Sequence, residues 1–346
     1  MSDASRSLGR SIKSALSIHR LRGSILRAVS RSFYLSVRIL PRRLRDPVAL
    51  AYLLARASDT ITDTPEVSRE TRADKLRTLA RAIQDQTTGH EIVVLRSSFA
   101  PLQKDKSERA LIESLPVCLD WLDQLDAADR AEIRSVLEKI NRGQLRDLER
   151  FHDRKGIIAL ETSADLDEYT YLVAGCVGEF WTRLCFRHLR KFAARSENEI
   201  LEFGKRYGMG LQLINILRDA GADLRAGRCY FPNEELAALR MDASQILREP
   251  ERFQPIYRKW LKKAEHGVEA GMQYSRAIHN RRIRAATAMP ALIGARTLAL
   301  LREAGATVLH RKIKVPRREV RAMIAPLVFT FAARSQISAM FRRLSR

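Results

Sequence analysis

Apolar residues fall three and four positions apart along most of this chain, with charged residues filling the positions between them. That spacing is the helical one. It predicts helices over Val48–Asp63, 66–88, 107–125 and 127–151, then from Asp165 or Asp167 to about Arg190 and from Glu197 to about Ala220, and finally over 233–247, 252–280 and 282–304. Pro47 stands where a first helical turn tolerates it, and Thr64-Pro65 stops that helix. The stretch from His90 to Lys106 reads as a loop with a short helix, and Gly227-Arg-Cys-Tyr-Phe-Pro232 as a loop. No alternating apolar run with hairpin punctuation stands out, so the expected class is all-α. No linker rich in Pro, Gly or Ser divides the chain. One helical domain is therefore expected over 26–310, preceded by a loosely docked basic arm at 1–25 and followed by a basic amphipathic segment at 311–346.

Some polar positions break the apolar pattern in an ordered way. Tyr52, Arg56, Asp59 and Asp63 recur at steps of four, three and four, so they share one stripe of a helix. Gln212, Asn215, Asp219 and Asp223 recur at three, four and four inside Met209-Gly-Leu-Gln-Leu-Ile-Asn-Ile-Leu. Each stripe carries two carboxylates about one turn apart. Like charges at ~4 Å repel by roughly 4 kcal/mol in an effective dielectric of ~20. A cation should compensate each pair, and an all-oxygen set with open positions suits Mg²⁺ bridging to a phosphate. The plainer alternatives are an exposed face with an Arg–Asp pair, and amides that serve helix packing. Arg218 and Arg228 would fit diphosphate oxygens through their planar forks, or else pair with Asp219 and Asp223. Gly175 and Gly178, within an apolar stretch, imply close approach by another helix or by a ligand. Tyr169 would present a phenol one turn before Val173 and two before Cys176 and Val177, beside an apolar wall.

Charge widens the list of partners. The chain holds 62 basic and 40 acidic residues, a formal net charge of +22. The excess lies at the ends, with eleven Lys and Arg in residues 1–45 against Asp3 alone and ten in 311–346 against Glu319 alone. Such ends suit nucleic acid, anionic lipid or an anionic substrate, or form a solvated surface. Four cysteines with no C-x-x-C spacing read as scattered core thiols of a reducing, cytoplasmic setting. The seven histidines are dispersed, which argues against zinc. No run of about 18 apolar residues exists, so no span is expected; the longest candidate, Ala322 to Ala333, contains Pro326.

Together these motifs resemble the squalene/phytoene synthase family over roughly residues 25–315. Ser30-Arg31-Ser32-Phe33 is similar to the family's amino-terminal diphosphate-binding segment, and Asp59-Thr-Ile-Thr-Asp63 to its first aspartate-rich motif, with Tyr52 and Arg56 in place before it. Tyr169-Thr-Tyr-Leu-Val-Ala-Gly-Cys-Val-Gly178 resembles the family's Tyr-x-x-x-Val-Ala-Gly-x-Val-Gly, and Gln212 to Pro232 its second acidic motif. Four motifs in family order make a strong signal. The resemblance implies a single-domain, all-α isoprenoid-synthase bundle around a central cavity, with the two acidic pairs facing each other across its mouth. It implies Asp59, Asp63, Asn215, Asp219 and Asp223 as Mg²⁺ ligands. Ser30 to Phe33, Tyr52, Arg56, Val173, Val177, Gln212, Asn215, Arg218 and Arg228 would bind two allylic diphosphates. Val173, Val177, Leu213 and Ile216 would shield a cation from water, and Tyr169 would assist proton transfer.

Within the family, Val-Ala-Gly-Cys-Val-Gly-Glu-Phe-Trp181 is most similar to bacterial squalene synthases, and Leu298 stands where dehydrosqualene synthases often have tyrosine. Lys312-Ile-Lys314 resembles a basic segment that squalene synthases place near NADPH. The resemblance thus implies condensation of two farnesyl diphosphates through presqualene diphosphate to squalene. Phytoene, dehydrosqualene, presqualene-diphosphate and hydroxysqualene synthesis are the alternatives. Two departures stand out. Ala222 replaces an acid that many relatives carry, and the sequence shows no carboxy-terminal membrane anchor of the eukaryotic kind. The enzyme is expected to be a monomer resting peripherally on anionic lipid through Arg317 to Arg346, although a packed last helix with exposed arginines gives the same pattern. Two other classes compete. A nucleic-acid-binding protein would be repelled through its acidic stripes and shows no helix-turn-helix or stacking signature. A catalytically retired relative would not be expected to keep all four aspartates and Tyr169.

Overall fold

The computed structural model describes residues 16–30, 33–151, 156–329 and 332–345. These residues form α1 (Leu26–Ser30), α2 (Phe33–Ile39), α3 (Arg42–Thr62), α4 (Arg69–Ile83), α5 (Gly89–Phe99), α6 (Lys106–Glu113), α7 (Leu115–Asp123), α8 (Ala127–Arg150), α9 (Ser163–Thr170), α10 (Cys176–His188), α11 (Glu197–Arg225), α12 (Asn233–Ala238), α13 (Pro250–Ala277), α14 (Arg281–Ala304), α15 (Arg317–Phe329) and α16 (Arg334–Leu344). Two short strands, β1 (Ile158–Leu160) and β2 (Arg228–Pro232), pair in parallel. The class is all-α, as the apolar spacing requires. The chain divides into two compact units, residues 1–148 and 149–346. That boundary falls in the last turn of a helix, so no linker composition marks it.

In the first unit α3 supplies the central apolar face. Leu44, Leu50, Leu53, Leu54, Ala57 and Ile61 are all fully buried. The helix begins at Arg42, earlier than the sequence suggests, because Leu44 extends the buried stripe behind three surface arginines. Pro47 therefore lies one turn inside, where its missing N–H leaves the Arg43 carbonyl without its usual donor. Helix α5 is the short helix expected within the 90–106 loop, but it takes up most of that stretch. Its Thr88/Glu91 capping box starts it, and Ile92, Leu95 and Phe99 are buried, while exposed Val93 and Val94 blur the period. The second half of the basic arm is also ordered. Residues 16–30 are helical and bury Ile18, Leu21, Ile25 and Leu26, with Arg22 paired to Asp46 and stacked over Trp121.

In the second unit α11 is the central element. It meets α10 with backbone against backbone. A Cβ on Gly178 would lie 2.0 Å from the Gly204 carbonyl oxygen, and one on Gly208 2.2 Å from that of Ala174. Helix packing is thus what these glycines serve. On the far side Gly210 and Gly267 bring α11 onto α13, whose Phe253, Tyr257, Trp260, Ala264 and Val268 are buried. The stretch 227–232, expected as a loop, forms β2, with Ile158 opposite Arg228 and Ala159 opposite Cys229. Pairs this short leave no alternation to read. Met323, Leu327 and Ile337 bury one face of α15 and α16 in the same core, while Arg342 and Arg343 stay exposed. The four cysteines are buried and unbridged.

Candidate active site

Each acidic pair sits at the carboxy-terminal end of its helix. Asp59 lies in the last turn of α3 and Asp63 is its C-cap, while Asp219 and Asp223 lie in the last two turns of α11. The backbone dipole there is negative and disfavours anions by roughly 0.3–1 kcal/mol each. Mutual repulsion adds to this. Both pairs are therefore built to attract positive charge.

In the first unit, Asp59 is surrounded by polar partners. Gln144 Nε2 of α8 donates to its Oδ1 at 2.5 Å, and Arg56 Nη1 stands 3.9 Å from its Oδ2. Burial of part of the side chain, reinforced by Asp63 and Glu108 and opposed by Arg56 and Gln144, pushes the Asp59 carboxyl up to about 6. The side chain remains 44% exposed, so the group keeps an open side. Arg56 is turned chiefly toward Glu108, with which it forms a close ion pair. Tyr52 Oη donates to the Val29 carbonyl at 3.3 Å, and burial raises its pKa. Ser30 is buried and spends its hydroxyl on the Leu26 carbonyl. Arg31 and Ser32 lie outside the described residues, as does the side chain of Phe33.

The second unit gathers the other candidates. Asn215 is exposed and donates to Gln212 Oε1 at 3.3 Å, so the α11 stripe faces outward from its core. Arg218 grips Asp219 through two hydrogen bonds, at 3.1 and 2.5 Å, and Arg228 Nη2 donates to Asp223 at 2.9 Å. Burial pushes the Asp223 carboxyl up, and Asp219 adds to this, against the pull of Arg228. Arg228 begins β2, and two residues on Tyr230 stacks on Tyr169 with ring centroids 5.0 Å apart. Phe151 meets Tyr230 edge-on at 5.1 Å. The strand thus links the phenol of Tyr169 to the acidic end of α11.

The turn Tyr171–Gly175 is π-helical, inserting one residue between Tyr169 and the apolar positions after it. Val173 is half-buried and Val177 is 39% exposed. Leu213 and Ile216, expected in the shielding wall, are buried in the core of the unit; only the valines keep surface for a ligand. Lys312 and Lys314 are exposed on the irregular stretch before α15, and Leu298 is buried. Sequence reasoning missed Gln144, Glu108 and Tyr230. Gln144 and Glu108 act on Asp59 and Arg56 from distant helices, and no local spacing reveals them.

The donors at both pairs are oxygens. The first offers Asp59 and Asp63, the second Asp219, Asp223 and the amide of Asn215. Among the described residues no three of His, Cys, Asp and Glu converge as a closed cage. Two carboxylates with remaining positions left to water and phosphate fit Mg²⁺, which sheds its waters reluctantly. Gln144, which donates to Asp59, leaves its own Oε1 buried without a hydrogen-bond donor, so the polar groups beside the first pair are not all satisfied by protein groups.

Comparison with known proteins agrees with these motifs. The family model for squalene/phytoene synthase matches residues 26–319. Squalene synthase ERG9 of Saccharomyces cerevisiae is 29% identical over 295 residues, covering 84% of this chain and 63% of its own. A bifunctional lycopene cyclase/phytoene synthase of Arthroderma gypseum is 29% identical over 248 residues, covering 70% of this chain and 39% of its own. The chain thus spans less than two thirds of the length of either. Among solved structures, TcSQS in complex with the ligand E5700 superposes with a TM-score of 0.72 at 22% identity, covering 95% of this chain and 97% of that one. A dehydrosqualene synthase in complex with a ligand gives 0.62 at 24%, covering 92% and 97%. These likenesses place the fold among the all-α isoprenoid synthases. With the family model spanning both acidic pairs and the tyrosine segment between them, the chain belongs to the squalene/phytoene synthase family.

Proposed function

We propose that this protein is a squalene synthase that joins two farnesyl diphosphates head to head, through presqualene diphosphate, and completes the reaction with hydride from NADPH. The observation that carries the reading is a repetition. Helices α3 and α11 belong to different units, yet each ends in two carboxylates one turn apart at its negative pole, with an arginine at hand. One such end is ordinary; two match a reaction that consumes two diphosphates.

Mg²⁺, when bound, neutralises the diphosphate leaving group so that the allylic C–O bond can ionise. Asp59 and Asp63 would hold it in the first unit, and Asp219, Asp223 and Asn215 in the second. Arg218 and Arg228 exchange their carboxylate partners for diphosphate oxygens and follow the charge as it develops. Val173 and Val177 keep water from the carbocation. Tyr169, held by its stack on Tyr230, assists the proton loss that closes the cyclopropane ring. Lys312 and Lys314 offer cationic contacts to the phosphates of NADPH. Among the described residues no helix is long and apolar enough to cross a membrane. The exposed arginines of α15 and α16 support a peripheral position on anionic lipid, with the enzyme acting as a monomer.

Incubation of the purified protein with farnesyl or geranylgeranyl diphosphate and Mg²⁺, with and without NADPH, tests the assignment. Squalene should form from the C15 substrate only when NADPH is present. Accumulation of presqualene diphosphate despite NADPH, or consumption of the C20 substrate alone, would transfer the assignment to another member of the family.

A further inference from the structure

We propose that Gln144 is a positioning residue for the first acidic pair, its amide nitrogen fixing Asp59 in the orientation that receives a divalent cation. The proposal rests on the reading of Asp59 as a ligand.

Gln144 and Asp59 are 85 residues apart, on α8 and α3, yet their hydrogen bond is 2.5 Å long. The amide can face the carboxylate only through its nitrogen, since two acceptors in contact would repel. This makes the two oxygens of Asp59 unequal. Oδ1 is taken by Gln144, whereas Oδ2 stands 3.9 Å from Arg56, beyond hydrogen-bond range, and is the one left for a cation. Arg56 does not compete for it, because Glu108 draws the guanidinium away.

The other end of the amide gives the second observation. Gln144 Oε1 is buried with no donor, and so is Oδ1 of Asn141, one turn earlier on the same helix. Asn141 is only 2% exposed. Buried acceptors without donors are rare in folded proteins. A glutamine serving packing alone would be satisfied at both ends. One that is satisfied only toward the carboxylate suits a ligand that carries its own donors, and a hydrated Mg²⁺ brings water hydrogens. Such outer partners orient metal ligands, and their loss typically weakens metal binding by ~10- to 100-fold.

The test is a binding measurement on the full chain, with Mn²⁺ as the spin-active probe and inorganic pyrophosphate present or absent. An Asp219→Asn, Asp223→Asn background leaves only the first pair to titrate. Gln144→Met keeps length without the amide, and Gln144→Leu is the second variant should the first fold poorly. Mn²⁺ affinity should fall about 10-fold or more in each, with a changed hyperfine pattern and a melting temperature equal to or above the parent's. Affinity within twofold of the parent would overturn the proposal, as would a loss that only tracks unfolding. Asp59→Asn separates the two levels. If it abolishes binding while Gln144→Met binds like the parent, Gln144 has no positioning role and the ligand reading stands. If Asp59→Asn leaves binding intact, the ligand reading falls, and the inference with it.

Discussion

Gly221 lies between Asp219 and Asp223, and replacing it with alanine puts two known effects in opposition. Inside a helix the change from glycine to alanine is favourable by about 1 kcal/mol. At this position, however, the new methyl would sit 1.9 Å from the Leu309 carbonyl oxygen, 2.6 Å from its carbon and 2.9 Å from its Cα. The obstruction is backbone and cannot rotate aside. It must retreat by about 1 Å to reach even the tight 3.0 Å limit, which would stretch the Arg225 Nη1 bond to the same oxygen, now 3.0 Å. Overpacking of this kind costs ~1–3 kcal/mol, and the rigid partner places it at the upper end. The clash outweighs the propensity gain, for a net loss of about 2 kcal/mol. For a unit of 150–250 residues this lowers the melting temperature by roughly 4–8 °C. Differential scanning calorimetry measures it, with Gly89→Ala as the control because a Cβ there meets nothing within 4 Å. Turnover should fall as well, since the displaced turn leads to Lys312 and Lys314. A Gly221→Ala melting temperature equal to or above the parent's would refute the packing argument.

Arg284 is buried and donates to the carbonyls of Ile278, His279 and Ala332, tying the α13–α14 turn to the start of α16. Arg284→Met leaves those acceptors without a donor and should cost about 3 kcal/mol in urea unfolding; a loss below ~0.5 kcal/mol would show that the carbonyls find other donors. Asp59 gives a pH signature. Its folded pKa of about 6 lies above the ordinary aspartate value, so the folded protein holds a proton that the unfolded chain has released. The strain of ionising it is present above pH 6 and is relieved as pH falls toward 4, so this group alone makes the fold relatively more stable in that window. Divalent binding has the opposite trend, because it needs the carboxylate. The apparent Mn²⁺ dissociation constant of the first pair should rise as pH drops through about 6, and a constant that stays flat across that pH would refute the assignment of the titration to Asp59.

The sequence by itself determined the helical class and the two acidic stripes. A period of three and four is local, and residues four apart on one helix are neighbours whatever the helix packs against. The same locality let the tyrosine segment and the glycines be singled out. What the glycines do was a tertiary matter. Only the packing of α10 on α11 shows that Gly178 and Gly204 meet backbone to backbone. The early start of α3, the length of the helix at Gly89–Phe99 and the ordered residues 16–30 needed knowledge of which apolar positions find a core. Strand β2 needed its partner at 158–160, too short to leave a pattern. The division into two units has no composition signal because a helix ends across it. Around the site, Arg56 turning to Glu108, Gln144 reaching Asp59 and Tyr230 stacking on Tyr169 all join residues far apart in the chain. Burial, pairing and pKa are set by what surrounds a group in space, and a one-dimensional period carries no record of that.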